Sequence, residues 1–267
     1  MNKFYIQIVL LFLSVSVYLN NKALATEPAP ENATKTKSKN SYPTSEEIYE
    51  NNKHLLCANP EEALEVDELM EEAVTHLEKH ATSKDDYKNL MGNPYCNLDV
   101  YEKKYHDDTI VLKFHYILHD PNKYNETIDE FWDPDCINFL DHPHTQRKII
   151  RVYSPNLILI QQRYKRSRSD RQKYFYALVR KTQISEEKAI IVMTSANIID
   201  HHPSKKSYKN TIIESANSFT TEVDSEDDIR KGKIKKTFVN IAGYLIEKND
   251  NQVDITRIES IDENGSN

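Results

Sequence analysis

The chain has 267 residues, 38% of them hydrophobic and 29% charged, with a formal net charge of −7. Only four are glycine, at 92, 232, 243 and 265, too scattered for a phosphate-cradling loop or a nucleophile elbow. The acidic balance excludes a general nucleic-acid binder, which needs a dominant basic surface.

Lys3 precedes an apolar run from Phe4 to Leu19, and Ala23-Leu24-Ala25 supplies a small-residue cleavage site. This order predicts a secretory signal over residues 1–25, short for a membrane span. Its removal takes away Lys3 and Lys22 and no acid, making the mature chain two units more negative. Residues 26–43 are polar and proline-bearing, and read as a disordered linker. The folded domain is expected over 44–267, with no later segment apolar enough to cross a bilayer. Three cysteines, Cys57, Cys96 and Cys136, allow one disulfide and one free thiol, and their spacing matches no zinc pattern.

Order begins at Thr44, where Thr44-Ser45-Glu46-Glu47 forms a capping box for a short helix to about Leu56. Asn59-Pro60-Glu61-Glu62 then supplies an N-cap, Pro at the first helical position and early acids. Val66, Leu69, Met70, Ala73, Val74, Leu77 and Ala81 follow at helical spacing, predicting one packed stripe. Thr109–His119 alternates as a strand with Ile110, Leu112, Phe114, Tyr116 and Leu118 on one side. Asp120-Pro121 opens a helix whose Tyr124, Ile128, Phe131 and Trp132 face inward, and Asp133-Pro134 ends it.

From Lys148 onward, strands are predicted at 148–153, 157–164, 173–181, 188–198, 209–220, 234–247 and 252–261. Polar and proline-bearing clusters separate them, as in an antiparallel meander. Helices and strands are segregated, so the expected fold class is α+β. Several strands are apolar on both faces: Ile190 and Val192 oppose Ile191 and Met193, and Val239, Ile241 and Leu245 oppose Phe238, Ala242 and Ile246. An antiparallel sheet normally keeps one wet face. Either a second packed layer or a lined cavity is required.

Distinctive segments recur along the chain: Phe131-Trp132-Asp133-Pro134-Asp135, Ile149-Ile150-Arg151-Val152-Tyr153-Ser154-Pro155, Arg171-Gln172-Lys173-Tyr174-Phe175-Tyr176, Ile190-Ile191-Val192-Met193-Thr194-Ser195 and Thr237-Phe238-Val239-Asn240-Ile241-Ala242-Gly243-Tyr244. Together they closely resemble the fam-a proteins of rodent malaria parasites, which look like START-type lipid-transfer domains. The resemblance implies a helix-grip fold, a curved antiparallel sheet wrapped on a long C-terminal helix with one lipid between them. It further implies a phospholipid ligand, with phosphatidylcholine favoured, no cofactor and no catalysis. Export into the parasitophorous vacuole or host red cell also follows from it. One departure stands out: Ile261-Asp262-Glu263-Asn264-Gly265-Ser266-Asn267 ends the chain where that lid helix should begin. Another element or chain must then cover the groove, or the copy is truncated.

Trp132, Tyr153, Tyr174 and Tyr176 either build an aromatic box for a quaternary ammonium, because ring faces attract a choline head, or are ordinary core and sheet-surface aromatics. Met193 and Phe238 join them as expected lipid contacts. Arg163, Lys165, Arg166 and Arg168, close to Arg171 and Lys173, read either as a dock for anionic headgroups on a transiently bound membrane or as a solvated hairpin. The acid run Glu222, Asp224, Glu226, Asp227 and Asp228 lacks calcium-loop spacing and reads as solvated. His76 and His80 share a helix face without a third ligand, and also read as solvated. Nothing marks Ser195, near Asp200, as an activated nucleophile. A different class remains open, an exported host-interaction protein that keeps the scaffold and uses its charged loops.

Overall fold

The computed structural model describes residues 42–93, 98–105, 109–137, 141–142, 144–204 and 208–263. The predicted signal, nearly all of the linker and Cys96 lie outside these residues. Thr44 caps helix α1 (Ser45–Asn51) through the reciprocal bonds of a capping box, its hydroxyl accepting from Glu47 N and its amide donating to the Glu47 carboxylate. The 3-10 turn Lys53–Leu55 follows. Asn59 then caps α2 (Pro60–Thr82), its side-chain oxygen accepting from the amides of Glu61 and Glu62. Both helix starts fall where the cap chemistry puts them.

The main sheet contains β1 (Lys88–Asn93), β2 (Leu98–Lys104), β3 (Ile110–Leu118), β4 (Gln146–Ser154), β5 (Leu157–Tyr164), β6 (Lys173–Ser185), β7 (Lys188–Thr194), β11 (Phe238–Asn249) and β12 (Gln252–Asp262). Their order is β1-β2-β3-β12-β11-β7-β6-β5-β4, antiparallel throughout, with β10 (Lys235–Lys236) parallel to β6. β8 (Asn197–Ile199) and β9 (Thr220–Glu222) form a separate parallel pair. Helix α3 (Tyr124–Trp132) lies between β3 and β4 in the chain, and α4 (Asp227–Arg230) precedes β10. The fold is α+β, a large antiparallel sheet with flanking helices. Among the described residues no helix follows β12.

Strand alternation splits the core into two layers. Tyr174, Tyr176 and Leu178 of β6, Ile190 and Val192 of β7, and Ile241 and Leu245 of β11 pack on α2 through Val66, Leu69, Met70, Ala73, Val74 and Leu77. Phe175, Ala177, Val179, Ile191, Ala242, Tyr244 and Ile246 face the other way, under α1 and α3. The doubly apolar strands are thus explained by a packed layer on each side. Gly243 sets the depth of one layer. Its φ is +147°, and a Cβ there would lie 2.1 Å from the Ile191 carbonyl oxygen and 2.9 Å from Leu77 Cδ1. Only glycine lets α2 and the sheet approach this closely.

Two expectations need correction. Residues 209–220 are not a strand. The Asn210 side chain accepts from Ile212 N and Ile213 N, and the Glu72 carboxylate accepts from Glu214 N and Ser215 N. Side chains from the segment itself and from α2 thus satisfy those amides, so Ile212, Ile213 and Phe219 cover the α2 layer from a loop. The run 188–198 also breaks after Thr194. The Ser195 hydroxyl donates to Tyr176 O at 2.7 Å and accepts from Val239 N at 2.9 Å, a wholly structural use. Strands β1 and β2, by contrast, had no strong apolar alternation to announce them. Cys57 and Cys136 are free thiols, and burial pushes that of Cys136 up to about 11.

Candidate functional site

The site grows from α3. Asp120 starts the segment, its carboxylate accepting from Asn122 N at 3.0 Å, and Pro121 opens the turn that leads into the helix. Asp133 closes it, accepting from Asp135 N at 2.9 Å. Between these stops Tyr124, Ile128 and Trp132 recur every fourth residue, so one stripe turns inward. Phe131 stacks on Tyr244 of β11 with centroids 4.3 Å apart and planes 27° apart. Trp132 is 3% exposed, with the Lys181 ammonium 5.7 Å from its ring. Its indole N–H meets no acceptor among the described residues.

Between α3 and the sheet lies a cavity of about 50 Å³, lined by Phe131, Trp132, Phe175, Ile191, Met193 and Tyr244 among others. Ligand pockets usually hold about 300–1,000 Å³, so the space as it stands admits no lipid chain. One end is charged. Asp141 accepts from Arg147 at 2.7 Å and lies 3.8 Å from Arg257, while Arg257 pairs with Glu259 at 2.5 Å. Arg257 also donates to the Tyr244 hydroxyl at 2.8 Å. Burial works against the guanidinium charge, yet Tyr244, Glu259 and Asp141 outweigh it and raise its pKa. The remaining Arg147 donors reach the Gln162 side chain and the Cys136 carbonyl, so the cluster is satisfied and neutral in sum.

This cluster escaped the sequence reading, although a signal was there. Val253, Ile255, Arg257, Glu259 and Ile261 occupy one face of β12 by alternation, so two charges sit in an apolar stripe. A second, open depression of about 830 Å³ runs beside β4 and β5, lined by Lys148, Gln161, Arg163, Glu226 and Asp228 among others. Its charges largely pair with one another: Arg163 with Asp228 at 2.6 Å and Glu226 at 3.2 Å, and Lys148 with Glu226 at 3.3 Å. The smaller cavity has the apolar floor that lipid chemistry needs, and it is the site developed below.

The four aromatics proposed as a box do not meet. Trp132 and Met193 lie on the α3 layer. Tyr153, Tyr174 and Tyr176 lie on the α2 layer. Their hydroxyls are also engaged: Tyr153 donates to Glu62, Tyr174 to the buried Asp200, and Tyr176 accepts from Gln161. Phe238, 9% exposed, stacks on Tyr208 at 4.0 Å with nearly parallel planes.

The basic hairpin between β5 and β6 is partly neutralised. Arg163 is held by the acid run, whose members Glu226 and Asp228 are therefore not simply solvated. Arg166 pairs with Glu263 at 2.6 Å, and Lys173 reaches the same carboxylate at 2.9 Å. Among the described residues, no carboxylate lies within ion-pair distance of Lys165 or Arg168. Glu263 directly follows β12, whose Glu259 and Ile261 line the cavity. The hairpin is thus tied to the strand that carries the charged end of the cavity.

His80 also departs from expectation. It is 5% exposed, its ring bonded to the hydroxyls of Tyr87 at 2.8 Å and Tyr105 at 3.2 Å. Among the described residues no three potential ligands gather to hold a metal.

No family model and no curated protein matches this sequence. Solved structures do. Human StAR-related lipid transfer protein 5 superposes with a TM-score of 0.52 at 12% identity, covering 77% of this chain and 85% of its own. The chain has the START fold. Human STARD10 gives a TM-score of 0.46 at 13% identity, covering 73% of this chain and 68% of its own. The human StarD13 lipid transfer and protein localization domain gives 0.42 at 15%, covering 73% and 84%. Where the resemblance predicted a long C-terminal lid, no helix follows β12 among the described residues.

Proposed function

We propose that this chain is a lipid carrier that takes a phospholipid, phosphatidylcholine first among them, against the α3 face of its sheet, without catalysing a reaction. One observation carries the reading: a START sheet whose apolar α3 face ends in a hydrogen-bonded charge cluster of the buried Arg257 with the half-buried Asp141, Arg147 and Glu259. Acyl chains would gain about 0.8 kcal/mol per buried methylene on the apolar part. The charged end offers polar partners for a headgroup. Trp132 and Met193 are the proposed contacts on this face, and Lys165 and Arg168 the free charges that would touch an anionic membrane. The fam-a kinship, secretion and export to the vacuole or red cell belong to the same proposal. They rest on the sequence motifs and the signal-like N-terminus.

The test is direct because Trp132 is the single tryptophan. Vesicles of phosphatidylcholine with brominated acyl chains should quench its emission as lipid is taken up, and native mass spectrometry should show one bound phospholipid. Neither quenching nor a bound lipid mass would defeat the carrier reading. The small cavity and the charged hairpin favour the second reading, an exported scaffold that contacts a host protein.

A further inference from the structure

The α3 face is closed by a short element. Helix α3 spans nine residues and is flanked by prolines on both sides, at Asp120-Pro121 and Asp133-Pro134. Pro121 starts the 3-10 turn that runs directly into α3, and Asp133-Pro134 ends the helix, so the helical segment is bounded on both sides. Its attachment is light. Its only side-chain cap at the start is Asp120, on the 3-10 turn ahead of it, and its last turn carries no basic residue. Asp129 lies in that turn, where the helix dipole disfavours negative charge. The Trp132 indole N–H is buried without an acceptor among the described residues, a group that loses hydration and gains no bond in the seated position. The contacts that hold the helix on the sheet include the Phe131–Tyr244 stack, the Lys181 ammonium over the Trp132 ring, the Tyr124 hydroxyl accepting from Gln183, and the apolar packing of Tyr124, Ile128 and Trp132.

The floor beneath has the opposite character. β11 is hydrogen-bonded to β12 on one side and β7 on the other, and its residues from Phe238 to Ile246 are buried. The cavity left between floor and helix holds about 50 Å³, far below the space of an ordinary ligand pocket. Motion of the floor would break two backbone ladders, whereas among the described residues no backbone hydrogen bond ties α3 to the sheet, and its motion breaks side-chain contacts.

We infer that α3 is a movable plug, which opens as a unit about its two proline-marked ends while the sheet stays intact, and so uncovers Ile191, Ala242 and Tyr244 for an acyl chain. The inference rests on the lipid-carrier reading for the occupant, but not for the motion. Opening is a local unfolding event with its own free energy, separate from global unfolding. Binding then selects a state that already exists in the free protein.

Hydrogen exchange on the full chain separates the two claims. Without lipid, amides of 125–132 should exchange at least about 100-fold faster than those of 240–246, the behaviour of a sub-global opening. Equal protection of the two segments would overturn the plug. A Phe131→Ala variant, which removes the stack and keeps the helix, should raise the exchange of 125–132 further and leave 240–246 unchanged. Its uptake of brominated phosphatidylcholine should be several-fold faster than that of the wild type. Unchanged exchange in this variant also counts against the plug. Fast exchange of α3 with no lipid uptake by either protein would leave the opening in place and remove the carrier reading.

Discussion

The two faces of one sheet use the same strands and reach different states. The α2 face is interlocked: a 23-residue helix packs six buried apolar residues on it, and Gly243 removes a side chain so that Leu77 can approach. Tyr174 is paired there with Asp200 and Tyr153 with Glu62. The α3 face is covered by a nine-residue helix, keeps a cavity, leaves an indole N–H without an acceptor among the described residues and carries an arginine–carboxylate cluster at one end. Apolar burial alone does not distinguish them, since both layers are rich in Ile, Val and aromatic residues. Closeness of fit does: the face with the long helix and the glycine is built to stay shut, and the other is not.

Gly243→Ala attacks that closeness most severely. Strain at positive φ costs about 1–3 kcal/mol and overpacking about as much again, so a loss of about 2–6 kcal/mol is expected in denaturant unfolding. Adding Leu77→Ala should not rescue it, because the nearer obstacle is the Ile191 carbonyl oxygen, part of the backbone. Rescue would show that the helix, not the strand, makes the limiting contact.

On the α3 face the counterpart is Arg257. Arg257→Ala leaves the partly exposed Glu259 and the Tyr244 hydroxyl without their partner and should cost about 1–3 kcal/mol, as losing a charged hydrogen-bond partner does. Arg257→Leu combined with Glu259→Leu removes both charges and leaves Arg147 with Asp141. It should recover most of that loss, while weakening any headgroup selectivity seen with the wild type. If the double variant is as unstable as Arg257→Ala, the cluster supports the fold through more than its charge balance.

Much of this contrast was legible in the residues. The cap chemistry of Thr44 and Asn59 located α1 and α2, and the stripe from Val66 to Leu77 identified the packed face. Opposed apolar residues on β7 and β11 demanded two covered faces. What covers each was not legible, because alternation assigns a side chain to a face and says nothing of the element beyond it. The aromatic box failed for that reason: Tyr174 and Tyr176 share a face, but Trp132 belongs to a helix on the other. The 209–220 segment misled through composition, since Ile212, Ile213 and Phe219 look like a strand while Asn210 and Glu72 take the amides. His76 and His80, four residues apart on α2, were read alike as solvated, yet burial separates them.

His80 gives the mildest probe, and it samples the edge of the interlocked face. Its ring lies between the Tyr87 and Tyr105 hydroxyls, an arrangement that suits a neutral imidazole with one donor and one acceptor nitrogen. Burial, with the charges of Lys103, His76, Lys79 and Lys113 adding to it, pushes its pKa down from 6.5 to about 4. Above pH 6.5 both folded and unfolded chains keep the ring neutral, and its titration has no effect on stability. Between pH 6.5 and 4 the unfolded chain binds a proton that the folded chain refuses, so stability falls as pH falls, by at most about 1.4 kcal/mol per pH unit. Below pH 4 the folded ring is protonated too and this contribution levels off. Thermal unfolding of the wild type and of His80→Gln, followed from pH 7 to pH 4, reads the effect by difference. The variant should lose less stability across that interval, because glutamine can bond both hydroxyls and takes no proton. Parallel curves would mean that the ring is protonated in place and that this edge of the α2 face opens to water as readily as α3 does.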